Sequence, residues 1–274
     1  MKQEKEEPSF LYHLEVLRWH IIRSIFAIVI IGILAFFLKN YIFKYIILSQ
    51  TQGNFPTYQF FCELGRFFGS ESDFCQETLP LQIRNRTMTG QFSAAMWTSF
   101  WVGLIVGFPY LMYEMWRFIS PGLYENERRI ARGFIGVTSL LFFIGVVFGY
   151  FIVAPLAIHF FATFSVVEGD QMIVNMIDLE SYIETLRSSV VSCGVIFELP
   201  VIIYFLAKLD LITADFMRKY RKHAIVLTLL VAAIITPPDV SSQIIVSIPI
   251  LLLYELSIYV CKYVQKDKLK EKIN

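Results

Sequence analysis

Apolar runs of membrane-crossing length alternate with short polar interruptions along most of the chain. A hydrocarbon core of about 30 Å takes roughly 20 apolar residues as a helix. Six runs stand out, at residues 21–45, 92–113, 133–164, 190–206, 224–235 and 244–261. The third is long and contains Pro155, which predicts a tilt or a bend. The fifth would rise only about 18 Å as a helix and is closed by the hard turn Thr236-Pro237-Pro238-Asp239. Such a hairpin must thin the bilayer or sit in a shielded place. The pattern predicts an all-α polytopic membrane protein.

An amphipathic stretch precedes the first run. Phe10, Leu14, Leu17 and Ile21 repeat at helical spacing, with Ser9 as a cap after Pro8. Residues 9–20 therefore read as an interfacial helix leading into the first span, with Glu15 presenting a carboxylate at the membrane surface. Gly103 with Gly107, and Gly145 with Gly149, form two G-x-x-x-G pairs that allow helices to approach closely.

Composition agrees with the pattern. The 274 residues are 56% hydrophobic and 17% charged, against about 45–50% and 25% in a soluble domain. Net charge is +1, so there is no electrostatic footprint for nucleic acid. The distribution of charge says more than its sum. Of 24 basic residues, only Lys39, Lys44, Arg66, Arg84, Arg86 and Arg187 fall opposite the amino-terminal side. The positive-inside rule then places both termini in the cytoplasm. The first residues carry more acid than base, the reverse of a cleavable signal, and the first run reads as a retained span. Residues 46–91 form the large outer loop, and residues 263–274 a cytoplasmic tail.

Catalytic signatures are missing. There is no phosphate-binding loop, zinc-protease motif, nucleophile elbow or C-x-x-C pair. The four histidines have no metal-ligand spacing, so no metal, cofactor or enzymatic activity is expected. Cys62 and Cys75 lie in the outer loop, where the compartment is oxidising. Either they form a disulfide closing that loop or they are two buried free thiols. Cys193 and Cys261 fall in spans and read as packing residues. Glu198 stands inside the fourth run, two residues before Pro200. An acid in a span is costly and is a functional candidate by default: it meets a client, a partner helix or a proton, or it is paired within the bundle. In the first inner loop Ser120-Pro121 caps a helix whose early residues include Glu125 and Glu127.

These residues also carry a resemblance. His13-Leu14-Glu15-Val16-Leu17-Arg18, Phe108-Pro109, Ser120-Pro121-Gly122-Leu123-Tyr124 with Glu127-Arg128, Phe197-Glu198-Leu199-Pro200, and Thr236-Pro237-Pro238-Asp239 with Gln243 occur in this order on these spans. Over residues 9–262 the chain resembles the TatC family, the six-span subunit of the twin-arginine protein translocase, and the outer segment around Asn54-Phe55-Pro56-Thr57-Tyr58 resembles a Bacteroidetes-type member. The resemblance implies one membrane domain over residues 1–274: six helices in a concave bundle with short fifth and sixth spans, in the bacterial inner membrane. It implies a receptor and scaffold that binds the Arg-Arg signal peptide of folded precursors, assembles with TatA- and TatB-type single-span subunits in a multimeric complex, and draws on the protonmotive force. By the same resemblance Glu127, Glu15, Arg18, Phe118 and Tyr124 bind the signal peptide. Glu198, Asp239 and Gln243 are the intramembrane and hairpin contacts to partners. One departure is visible: Val16 stands where the family places a glutamate, and the acid is Glu15, about 100° away around a helix.

Two other classes compete. A small-solute or ion transporter would show inverted repeats and paired broken helices, and the chain has one proline-flanked acid without a matching half. An intramembrane enzyme would need a nucleophile and base, and no such pair is evident.

Overall fold

The computed structural model describes residues 10–67, 69, 73–75, 79, 81–119, 125–164, 176–237 and 239–273. The described residues form eleven α-helices: α1 Phe10–Phe37, α2 Lys39–Tyr41, α3 Pro56–Phe67, α4 Gly90–Ile119, α5 Glu125–Phe148, α6 Ala154–Thr163, α7 Leu179–Phe197, α8 Leu199–Lys208, α9 Ala214–Lys219, α10 Arg221–Ile235 and α11 Val240–Ile273. Two short strands, β1 Gln82–Arg84 and β2 Met176–Asp178, pair in parallel with Ile83 opposite Ile177.

Five segments are long and apolar enough to cross a membrane: Leu14–Phe37, Gly90–Ile119, Ile135–Thr163, Leu179–Lys208 and Ser242–Lys268. The fifth of the six spans is α10, whose 15 residues rise only about 22 Å. The protein is an all-α, polytopic, six-span membrane protein.

The boundaries refine the sequence pattern. No proline or polar cluster interrupts residues 10–37, so the amphipathic stretch and the first span are one helix. The helix stops at Phe37, before Lys39 and Asn40. Beyond α2 the chain widens into a π-turn, Ile42–Ile47, and then tightens into a 3₁₀ turn, Leu48–Thr51. The last helix outruns the apolar stretch that marks the sixth span. It continues through a lysine-rich segment to Ile273, because those residues are good helix formers with nothing to break them.

The bend in the third span has a defined form. Pro155 has no N–H to give, and the helix responds with a π-turn at Gly149–Val153, in which the Ala154 N–H reaches back to the Gly149 carbonyl. Pro200 acts similarly in the fourth span. The chain breaks at Glu198, between α7 and α8.

The contacts divide into two compact units, residues 1–39 with 95–140, and residues 40–94 with 141–274. In the first, α1 and α4 touch through glycine. A Cβ on Gly103 would lie 2.6 Å from the Ile28 carbonyl oxygen and 2.8 Å from the Gly32 nitrogen. In the second, the other pair does the same work. A Cβ on Gly145 would meet the Cys193 carbonyl at 2.6 Å, and one on Gly149 the Val190 Cα at 2.8 Å. Phe142, fully buried, fills the space left by Gly194. Both G-x-x-x-G pairs are thus helix-packing sites. The second unit holds two further apolar clusters. One joins Ile203, Ala207, Met217 and Cys261, the other Val153, Cys193, Ala232 and Val246. Cys193 and Cys261 are both free and buried.

Candidate functional site

In the first unit, Glu15 and Arg18 lie one turn apart on α1 with both side chains largely in solvent. Their charged ends are 3.8 Å apart, a weak surface pair. Val16 sits beside them on a neighbouring face of the helix and lines a small cavity. Phe118, near the end of α4, is half-buried and meets the His20 ring edge-on at a centroid distance of 6.1 Å. Glu127 falls in the first turn of α5, but its side chain lies outside the described part, as does Tyr124.

The most tightly held polar group of this unit is Glu114, only 2% exposed. His20 Nδ1–H donates to its Oε2 at 2.5 Å, and the Tyr110 hydroxyl to its Oε1 at 2.9 Å. The hydropathy pattern does not reveal this cluster. It ends the second span at Tyr113, whereas the helix runs to Ile119 and buries the next residue. Tyr110 and Glu114, four apart on one helical face, were the only local signal. His20 lies 94 residues away.

Glu198 occupies the break in the fourth span. It is 8% exposed, and neither carboxyl oxygen has a hydrogen-bond partner. The break is held by the backbone: the Glu198 carbonyl accepts from Val201 and Ile202 at 3.0 Å. A buried polar side chain without a partner is destabilising and marks a place where a partner is expected.

Asp239 and Gln243 close the α10–α11 hairpin. Asp239 Oδ2 accepts from the Ser242 N–H at 2.8 Å, capping α11. Gln243 Nε2 donates to the Leu229 carbonyl at 2.9 Å, tying α11 to α10. Pro238 lies outside the described residues.

Cys62 and Cys75 form a disulfide. It staples α3 to a 3₁₀ turn, Asp73–Cys75, and Phe74 of that turn stacks on His159 at 4.0 Å. The outer segment also repairs the bend in the third span. The π-turn takes the Ala154 N–H away from the Tyr150 carbonyl, and Pro155 offers none to Phe151. Gln50 Nε2 donates to Tyr150 at 2.8 Å, and the Thr57 hydroxyl donates to Phe151. Tyr58 donates to the Gln50 carbonyl at 3.0 Å. Burial pushes its phenol well above the usual range, so it remains a donor. Phe55 packs on Tyr150 and Phe151.

Among the described residues no three His, Cys, Asp or Glu side chains converge as a metal site. What the two units offer is recognition: exposed charge at the amino-terminal end, and a buried acid at a broken helix.

Comparison with known proteins gives this arrangement a family. The family model described as Sec-independent protein translocase protein (TatC) matches residues 12–249. A TatC from Blattabacterium sp. subsp. Periplaneta americana is 44% identical over 269 residues, 98% of this chain and 100% of the relative. TatCy of Bacillus subtilis is 31% identical over 261 residues, 95% of this chain and 91% of the relative. A crystal structure of the twin arginine translocase receptor TatC aligns with a TM-score of 0.67 at 31% identity, covering 92% of this chain and 99% of that one. The chain belongs to the TatC family, and is a multi-pass subunit of the twin-arginine translocase rather than an enzyme.

Proposed function

We propose that this chain is the receptor and scaffold of its translocase, binding the Arg-Arg signal peptide of folded precursors at the cytoplasmic face of a bacterial inner membrane. Both termini lie in the cytoplasm in this reading, and residues 1–274 act as one membrane domain. The family match over residues 12–249 carries it. The chemistry of the amino-terminal end supports it. Two guanidinium groups seek carboxylates in bidentate geometry, which lysine cannot reproduce. Among the described residues Glu15 is held only by its solvent-exposed pairing with Arg18, so an incoming arginine competes for it at small cost. Glu127 is the second carboxylate, while Arg18, Phe118 and Tyr124 border the peptide.

Glu198, Asp239 and Gln243 serve the assembly. The carboxyl of Glu198 has no hydrogen-bond partner among the described residues and is satisfied by a polar group on a TatA- or TatB-type helix or on the inserted signal. Transport is driven by the protonmotive force, and the working particle contains several copies.

Site-specific crosslinking in native membranes tests the receptor reading. A signal peptide carrying Arg-Arg should crosslink near Glu127, and Lys-Lys or Glu127→Ala should abolish the product. A Glu15→Ala lane reports whether the shifted acid takes part. Equal crosslinking of Arg-Arg and Lys-Lys would remove the proposal.

A further inference from the structure

At the amino-terminal end of the first unit lies a cavity of about 380 Å³ lined by Val16, Trp19, His20, Arg23 and Arg117. Its charge is one-sided. Arg23 and Arg117 are exposed, and neither is in an ion pair among the described residues. Of the acids near it among the described residues, Glu114 is buried behind the cavity and already accepts from His20 and Tyr110, and Glu15, one turn before Trp19 on α1, is paired with Arg18. Glu114 fixes the His20 ring as the inner wall and feels Arg117 at a distance.

An exposed apolar track adjoins the cavity through Trp19. Trp19, Phe26, Ile30, Ile33 and Phe37 are all exposed and succeed one another along one side of α1. Arg23 falls on that side, one turn from both Trp19 and Phe26. The apolar track belongs to the first membrane-crossing segment, Leu14–Phe37. A tryptophan and an arginine at the end of such a track sit at headgroup level, and a basic pocket between helices at that depth fits a phosphate headgroup.

We propose that Arg23 and Arg117 clasp the phosphate-bearing headgroup of an anionic phospholipid, with His20 behind it, Trp19 at its rim and the acyl chains along the α1 track. Arginine suits the role because its planar fork meets two phosphate oxygens at once. Free phosphate shares the headgroup chemistry but cannot use the track. A signal peptide's arginine pair is repelled by the same two cations, so the headgroup, and not the signal, is the ligand that Arg23 and Arg117 suit.

The test is native mass spectrometry of the full chain in detergent, titrated with phosphatidylglycerol, phosphatidylcholine or inorganic phosphate. Phosphatidylglycerol should bind the wild type at least about tenfold more tightly than it binds Arg23→Gln/Arg117→Gln, as two basic groups at a headgroup imply. Arg23→Lys/Arg117→Lys, which keeps the charge but not the fork, should bind more tightly than the glutamine variant and less tightly than the wild type, and so separates charge from misfolding. Phosphatidylcholine should bind wild type and the glutamine variant alike. Equal phosphatidylglycerol binding to wild type and the glutamine variant overturns the proposal. Displacement of the lipid by an equal concentration of inorganic phosphate also overturns it, since the ligand would then be the free anion.

Discussion

Thr57 donates its hydroxyl to the Phe151 carbonyl, the backbone acceptor that Pro155 cannot serve. One turn of the outer segment thus completes a helix that begins far away in sequence. Gln50 does the same for the adjacent carbonyl of Tyr150. The segment between the first and second spans is therefore a structural part of the third span.

Removing the Thr57 donor leaves a part-buried span carbonyl without this partner, which costs about 1–3 kcal/mol. Thr57→Val should lower the thermal midpoint of the purified chain, while Thr57→Ser, which keeps the hydroxyl, should restore most of it. A Thr57→Val protein as stable as wild type would show that the bond contributes nothing.

The Cys62–Cys75 disulfide closes a loop with a sequence separation of 13, and chain entropy assigns a closure of that size about 3 kcal/mol. Thiol alkylation before and after reduction should therefore reveal two additional reactive cysteines only in the reduced protein. The Cys62→Ser/Cys75→Ser variant should lose thermal stability, and reductant should then have no further effect on it. Alkylation of both thiols without reductant would contradict the bridge.

His20 and Glu114 should be energetically coupled. Each is buried, and removing one strands the other. In a double-mutant cycle with His20→Phe and Glu114→Leu, the two losses should fail to add by about 1–3 kcal/mol. Strict additivity, read from denaturation midpoints, would mean that the contact is not maintained in solution.

Glu198 should behave in the opposite way. Its carboxyl oxygens have no hydrogen-bond partner among the described residues, so Glu198→Leu should raise the stability of the isolated protein by about 1 kcal/mol or more. The same variant should reduce export of a twin-arginine reporter, because the group left unsatisfied is the one a partner would use. A variant that is both less stable and fully active would refute this assignment.

Much of the architecture was readable along the chain. Hydropathy is a local property and the bilayer imposes a fixed length, so all six spans, the short α10 and the disturbance at Pro155 follow from the residues in order. Gly103, Gly107, Gly145 and Gly149 announced close helix contacts, but which backbone each meets was not legible. Glu198 stood out because an acid in an apolar run is rare. Glu114 did not, because it falls at the edge of its run and only the length of α4 brings it inside.

The sequence by itself determined that the chain spans a membrane several times and roughly where each apolar run lies, since each run depends only on its own twenty or so residues. Tertiary structure alone decided which polar groups meet. His20 finds Glu114 and Thr57 finds Phe151 across separations of 94 residues each. Such pairings follow from how helices pack, and packing depends on shape and contact over the whole unit rather than on any local period. The cationic cavity between Arg23 and Arg117 has the same origin: two ordinary interfacial arginines become a site only when α1 and α4 bring them together.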